Sequence, residues 1–547
     1  MQKSVVNNSI NFPVVPTALI LILHSVFLLI TGYFEIDLLS DDYLNFISAQ
    51  SSDLSGKFSS SIPFYTGYHF RPLWFLSIDL SIYINSILNL SKGNFVFFRI
   101  ENMFLFYSFA AVSSYFLFRL TGNRIITVIY AVMILIYPLN LNSICWTAGK
   151  ADLLCGIFLF LNFIFSLNYS GKKRFYSLFA AVFFFIMALL TKETAVTIPL
   201  LFLIILWGLF GSGEVLKSKK IFLWEFAVLL IYFAFKIFGL KNFPAEVVNR
   251  YQDQEFLSFI IVLLKAFISL IIPFDYLTLQ YGLQTGNLTL YVYLALIIAV
   301  VSITVFSFFK INQSKFIPYL IFLFSVAVLP NLVAGYFRPQ LVLIPFTVFF
   351  VFLNAVFFKI RKTALLQKIL FTVIFVFWII LGYSNIKDWK YASDTSGRIM
   401  KDMCKSIEEI SNNERIIILG LPSRYKLASI LDYASGPYNY HCKEGFSSHE
   451  IISDAIHTGA LDKQSLESEL KIKPVSENEF EISTTGETQY LLKLDLLENV
   501  YRDSTIEITF SGKNSFNKPE KAYIKILSHN TAIYFFNNEK FNKFVIQ

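Results

Sequence analysis

From Pro13 to Phe34 the chain carries no acidic or basic side chain except His24. Wound as one helix, such a run covers the roughly 30 Å of a bilayer's hydrocarbon layer, where the backbone must satisfy its own hydrogen bonds. It exceeds a signal-peptide core and lacks a small-x-small cleavage site, so it reads as a retained span with its N-terminal side cytoplasmic. Comparable runs follow at Phe95 to Leu120, Ile125 to Leu141, Ala151 to Leu167, Phe175 to Leu190, Ala195 to Phe210 and Ile221 to Leu240. Four more lie at Tyr291 to Phe309, Phe316 to Val333, Leu341 to Phe358 and Leu365 to Tyr383. Hydrophobic residues make up 55% of the chain and charged ones 15%, far from a soluble domain. The fold class expected is therefore a polytopic α-helical membrane protein.

One stretch, Phe256 to Pro273, is apolar but has Lys265 at its middle. Charge decides how to read it. Basic clusters at Arg119 with Arg124, Lys172 to Arg174, Lys217 with Lys219 and Lys220, Lys310 with Lys315, and Lys359 with Arg361 and Lys362 should all face the cytoplasm. They do so if Phe256 to Pro273 is re-entrant or interfacial, which gives about eleven spans. A pair of crossings there keeps the same orientation and gives about thirteen. The same clustering makes the net charge of +8 a topology signal rather than a nucleic-acid footprint. Cys145, Cys155, Cys404 and Cys442 have no metal-type spacing, and no metal site is assigned to them.

With that orientation the unusual polar residues share the external side. Asp41 and Asp42 in "EIDLLSDDYLNF", and His69 and Arg71 in "YHFRPLWFLSIDL", lie in a long first external loop, residues 35–94. Lys150 and Asp152 in "WTAGKADLL" join the third and fourth spans, and Lys192 and Glu193 in "LTKETAV" the fifth and sixth. Arg338 in "AGYFRPQL" joins the ninth and tenth. Each has an ordinary reading. Ser40 with the two acids makes a helix N-cap; His69 and Arg71 lead into an amphipathic interfacial helix over Trp74 to Leu90; Lys192 and Glu193 neutralise one another at a hairpin; and Pro339 opens a helix after Arg338. Their convergence on one side points instead to a site.

This ordered set, "FRPLWFLSIDL", "AGKADLL" and "TKE" with an early acidic pair and a late external arginine, resembles the integral-membrane GT-C glycosyltransferases. Its likeness is to the protein O-mannosyltransferase type and to relatives whose transmembrane region precedes tetratricopeptide repeats, and it covers roughly Pro13 to Tyr383. "IIPFDYLTLQYG", Ile271 to Gly282, is similar to a proline-led external segment of those relatives. The resemblance implies transfer of a sugar, with inversion, from a polyprenyl-phosphate donor to a protein, glycan or lipid acceptor outside the membrane. It makes Asp41 the general base and Asp42 its companion, with Lys192 and Arg338, then Arg71 and Lys150, holding the donor phosphate. His69, Asp152 and Glu193 support them. No cofactor is required by such chemistry, though it admits a divalent cation, and the setting implied is a bacterial inner membrane. Two departures stand out. The acids are Asp-Asp where the protein-directed enzymes have Asp-Glu, and no 34-residue repeat follows. The rival reading is a proton-coupled transporter using Asp41, Asp42, Lys192 and Glu193.

Residues 384–547 read as a separate extracytoplasmic α+β domain after the 1–383 transmembrane region. "RIIILGLP" has the pattern of a buried strand and turn leading toward a helix, while "YLLKLDLL", "TIEITFSG" and "KAYIKILS" alternate like strands of a mostly antiparallel sheet. Cys404 and Cys442 would share an oxidising space there, but sequence separation leaves their pairing open.

Overall fold

The computed structural model describes residues 12–39, 42–58, 70–88, 95–236, 256–273, 276–310, 314–333, 339–359, 365–406, 415–426, 428–431, 442, 452–476, 478–492, 500–502, 506–513, 518–527, 531–537 and 540–544. The chain divides into two compact units. One comprises Met1–Phe34, Ser48–Phe274 and Tyr291–Ser384, the other Glu35–Ile47, Asp275–Leu290 and Asn385–Gln547.

The first unit is helical. In chain order the helices are α1 (Val14–Thr31), α2 (Asp42–Ser51), α3 (Leu54–Lys57), α4 (Pro72–Ile87), α5 (Val96–Thr121), α6 (Arg124–Ile136), α7 (Pro138–Cys145), α8 (Lys150–Lys172), α9 (Phe175–Thr191), α10 (Ile198–Phe210), α11 (Ser212–Lys217) and α12 (Lys219–Ala234). After them come α13 (Phe256–Ile271), α14 (Tyr276–Gln284), α15 (Leu288–Lys310), α16 (Ile317–Val333), α17 (Leu343–Lys359) and α18 (Leu365–Ser406); the first part of α2, all of α14, the start of α15 and the later part of α18 belong to the second unit. Four helical stretches among the described residues are long and apolar enough to cross a membrane: Val14–Thr31, Val96–Thr121, Thr147–Lys172 and Glu193–Phe210. Shorter apolar helices occupy several of the other runs.

Local chemistry sets the breaks. The run expected as one span over Ile125 to Leu141 is two helices, α6 and α7, bent by 58°. Pro138 lacks the N–H that would continue α6 and pushes Tyr137 to an extended ψ of 120°. Pro72 sits in the first turn of α4, where its missing donor costs nothing, and Trp74, Phe75, Ile78 and Ser81 form the buried face. Lys265 is exposed on α13 beside Leu264 and Ile268, opposite buried Val262 and Ala266. The last apolar run does not stop at Tyr383, because α18 continues for a total of 42 residues.

The second unit is an α+β region of two sheets. In the first, β1 (Arg415–Tyr425) lies parallel to both β10 (Thr531–Asn537) and β3 (Ile452–Ala460), with β11 (Lys540–Phe544) and β6 (Tyr490–Leu492) antiparallel at the edges. The second is fully antiparallel, in the order β4 (Lys471–Ser476), β5 (Glu479–Ser483), β9 (Lys521–Ile526), β8 (Ile506–Ser511), β7 (Val500–Arg502). Alternation in β5, β8 and β9 places Phe480, Ile524 and Ile508 side by side across three strands. They share one apolar core with Ile417, Leu419 and Phe535 of the first sheet. Among the described residues no helix follows "RIIILGLP" directly: Lys426, at φ 51°, turns the chain back into β2 (Ala428–Ser429), and most of the stretch from there to β3 lies outside the described residues. Cys404 and Cys442 are joined as a disulfide.

Candidate functional site

Breaks between apolar helices leave polar side chains that must find partners within the unit. At the α9 to α10 junction Lys192 is extended, with φ −157° and ψ 137°, and Glu193 begins a short 3-10 turn. The two do not pair with each other, contrary to the hairpin reading. Lys192 Nζ lies 2.6 Å from Asp152 Oδ1 in the first turn of α8, with both side chains buried. Glu193 instead receives Arg71 in bidentate fashion, Nε to Oε2 at 2.8 Å and Nη2 to Oε1 at 2.7 Å. That fork geometry matches a planar guanidinium to a carboxylate.

A third buried cation follows the same rule. Lys150 Nζ reaches Glu101 Oε1 at 2.5 Å, Ser81 Oγ at 2.5 Å and the Ser77 carbonyl at 2.8 Å, linking α8 to α5 and α4. Lys57 lies 2.7 Å from Asp79 of α4 and donates to the carbonyls of Ala49 and Ser52. Just before Lys150 the chain turns sharply, and a Cβ on Gly149 would stand 2.2 Å from the Ser143 carbonyl oxygen. Arg99 and Asn102 of α5 cap this corner by donating to the carbonyls of Ile144, Cys145 and Trp146 at the end of α7.

Five of the residues singled out from sequence, Arg71, Lys150, Asp152, Lys192 and Glu193, thus take part in three ion pairs within the helical unit. Asp42 belongs to the other unit, where it is buried and its Oδ2 accepts from the Leu39 backbone N–H at 3.2 Å. Asp41, His69 and Arg338 lie outside the described residues. Sequence reasoning missed Glu101, Asp79, Lys57 and Arg99. An ionisable residue inside an apolar run was the available signal, and Arg99 and Glu101 sit within the run that begins at Phe95. Among the described residues no three His, Cys, Asp or Glu side chains cluster as a metal site.

Beside the Arg71–Glu193 pair is an apolar cavity of about 340 Å³ lined by Phe70, Leu189, Leu190, Val228, Tyr232 and Phe235, among others. Phe70 and Phe235 close one side with ring centroids 5.2 Å apart. Lys236 Nζ stands 6.0 Å above the Tyr232 ring, and both Lys236 and Arg71 interact electrostatically with Glu193. Arg71 holds Glu193 directly, and Lys236 lies within its electrostatic reach, beside the apolar groove. No protein-family model matches the chain, and no curated protein matches it.

Proposed function

We propose that the protein is a membrane-embedded glycosyltransferase that uses a polyprenyl-phosphate-linked sugar and acts on the extracytoplasmic side. The carrying observation is the groove: an all-apolar trough suits an isoprenoid tail, and the cations Arg71 and Lys236 beside it suit a phosphate at its edge. Their charge matters most as the reaction proceeds. A phosphodiester donor carries one negative charge and the departing polyprenyl monophosphate carries more, so fixed cations favour the transition state over the bound donor. The acceptor hydroxyl attacks the anomeric carbon as the bond to the phosphate oxygen breaks, and its proton passes to a base. The sequence resemblance offers Asp41 for that role. Lys192 and Lys150, each bound to its own carboxylate, serve by holding the ends of α8, α9 and α4 in register. The bilayer setting, about eleven spans and an external second unit are parts of the same proposal, supported by the apolar outer face of α12, where Leu223, Phe226, Leu230 and Ile231 are exposed.

The test is donor choice. Protein in detergent, supplied with labelled sugar on polyprenyl phosphate and an extract of native membranes as acceptor, should transfer label, and the matching nucleotide sugar should not serve. Transfer from the nucleotide sugar without lipid overturns the proposal. A proton-coupled transporter has one observation in its favour: Glu225 of α12 is fully buried, bonded through Oε1 to Asn162 at 2.7 Å, with Oε2 unpartnered among the described residues. Solute uptake by reconstituted vesicles that Glu225→Gln abolishes, with no sugar transfer, would decide for it.

A further inference from the structure

Glu225 of α12 and Asn162 of α8 are both fully buried. Asn162 gives both amide hydrogens to acceptors, one to Glu225 Oε1 at 2.7 Å and the other to the Ala181 carbonyl of α9 at 2.9 Å. Only its oxygen is then left over. Among the described residues Asn162 Oδ1, Glu225 Oε2 and the Oγ of buried Ser166 have no hydrogen-bond partner. Two contacts between α8 and α12 bracket Ser166. One turn before it Asn162 meets Glu225, and about one turn after it Tyr169 shares a buried cluster with Ile221, itself one turn before Glu225. Side chains lean toward the N-terminus of their helix, so Ser166 leans toward Asn162. The neighbouring helices bring no cation to the carboxylate. Neither α9 nor α10 has a charged side chain, and Lys150 and Lys172 of α8 stand ten or more residues from Asn162, about 15 Å along the axis. Lys219 and Lys220 of α12 are exposed, and Lys217 of α11 is paired with Glu214.

We propose that Glu225 Oε2, Asn162 Oδ1 and Ser166 Oγ bind one monovalent cation of sodium's size, with water completing its shell. The inference goes beyond the proposed sugar transfer and rests on none of its chemistry. Charge and ligand type select the occupant. A lone carboxylate in apolar surroundings is costly unless something neutralises it. One monovalent cation does so, whereas a divalent one leaves a buried positive charge in its place. All three leftover atoms are oxygens, the ligands a hard cation takes. A proton also cancels the charge, but it brings one hydrogen to three oxygens, while a cation draws on all three together. The ion would tie α8 to α12, and α9 is joined to them through Ala181. Since α9 and α12 also wall the apolar groove, with Leu189, Leu190, Val228 and Tyr232, an occupied site holds those walls together.

Equilibrium dialysis of the purified full chain in detergent against radioactive sodium, in a choline chloride buffer, tests this. Wild type should bind about one sodium per chain, displaced by unlabelled sodium and not by choline. Glu225→Gln keeps the volume and an oxygen for Asn162 but loses the charge, and should weaken binding about a hundredfold. Ser166→Ala, a small change that leaves the Asn162–Glu225 contact in place, should weaken it about fivefold. Melting temperatures keep a folding defect apart from a lost site. In choline, Glu225→Gln should melt no lower than wild type, because it removes a buried charge, and added sodium should raise the melting temperature of wild type alone. Wild type that binds no sodium overturns the site and leaves Glu225 a neutral acid. Undiminished sodium binding by Glu225→Gln overturns it as well. Neither result bears on the choice of sugar donor.

Discussion

Lys192 and Asp152 meet at 2.6 Å with both side chains buried. Removing one partner strands the other as a buried charge, so Lys192→Ala should lose about 3–5 kcal/mol of stability. Lys192→Met with Asp152→Leu should recover most of that, and thermal unfolding in detergent measures both. Had Lys192 acted simply as a phosphate contact, its loss would alter donor use without unfolding anything. Lys236 is the opposite case: partly buried, beside the groove, and among the described residues without a hydrogen bond of its own, while Glu193 keeps its bidentate Arg71 partner when Lys236 is removed. Lys236→Ala should leave the melting temperature unchanged and raise donor KM about tenfold, the lower end of a charge-assisted hydrogen bond at ~1.5 kcal/mol. The two acids of the early pair should also part company. Asp42→Asn keeps an oxygen for the Leu39 N–H and should cost turnover little, while Asp41→Asn should abolish transfer with donor binding retained. Wild-type turnover by Asp41→Asn removes the base assignment.

At the scale of elements, the corner between α7 and α8 depends on the absence of a side chain. Gly149→Ala drives a methyl group into backbone at Ser143 that has no rotamer to escape by, and should destabilise the helical unit by about 1–3 kcal/mol. In the second unit, Asp462 ties the turn that follows β3 to Thr488, just before β6. Burial pushes its carboxyl up, but hydrogen bonds from Thr488, the Ser465 backbone and hydroxyl, and the Gln464 backbone outweigh that and leave it below the usual carboxylate range. The folded value lies under the unfolded one, so the contribution is present above roughly pH 4 and is lost as pH falls through the folded value. Amide exchange of β3 and β6 should quicken on acidification in wild type and change less in Asp462→Asn.

Across the whole molecule, much of the helical layout was legible because an apolar run long enough to cross hydrocarbon has few alternatives to a helix. Runs such as Phe95 to Leu120 and Phe175 to Leu190 match α5 and α9 within a residue or so. The failures are at junctions. Pro138 was visible in the sequence yet the run around it stayed uniformly apolar, and nothing after Tyr383 announces that α18 will persist to Ser406. Orientation remains a prediction of charge: reporter fusions should place Lys172, Lys219 and Arg361 in the cytoplasm and residues 384–547 outside, and activity of a fusion after Tyr383 only in the cytoplasm would reverse the scheme. An oxidising exterior also fits the Cys404–Cys442 bond, whose reduction should cost about 3–4 kcal/mol for the loop it closes.

Periodicity and hydropathy, both short-range properties, were enough to place many of the helices and several strands, though not where the helices break or end. They also picked out Arg71, Lys150, Asp152, Lys192 and Glu193, because ionisable groups beside apolar helices are costly and therefore conspicuous. Partner choice was beyond them. Adjacent Lys192 and Glu193 turn to residues 40 and 122 positions away, since an extended backbone at Lys192 sends neighbouring side chains in different directions. Only the packing of α4, α5, α8 and α9 could decide which carboxylate met which cation, and that Lys236 would stand near the Arg71–Glu193 pair beside an apolar groove.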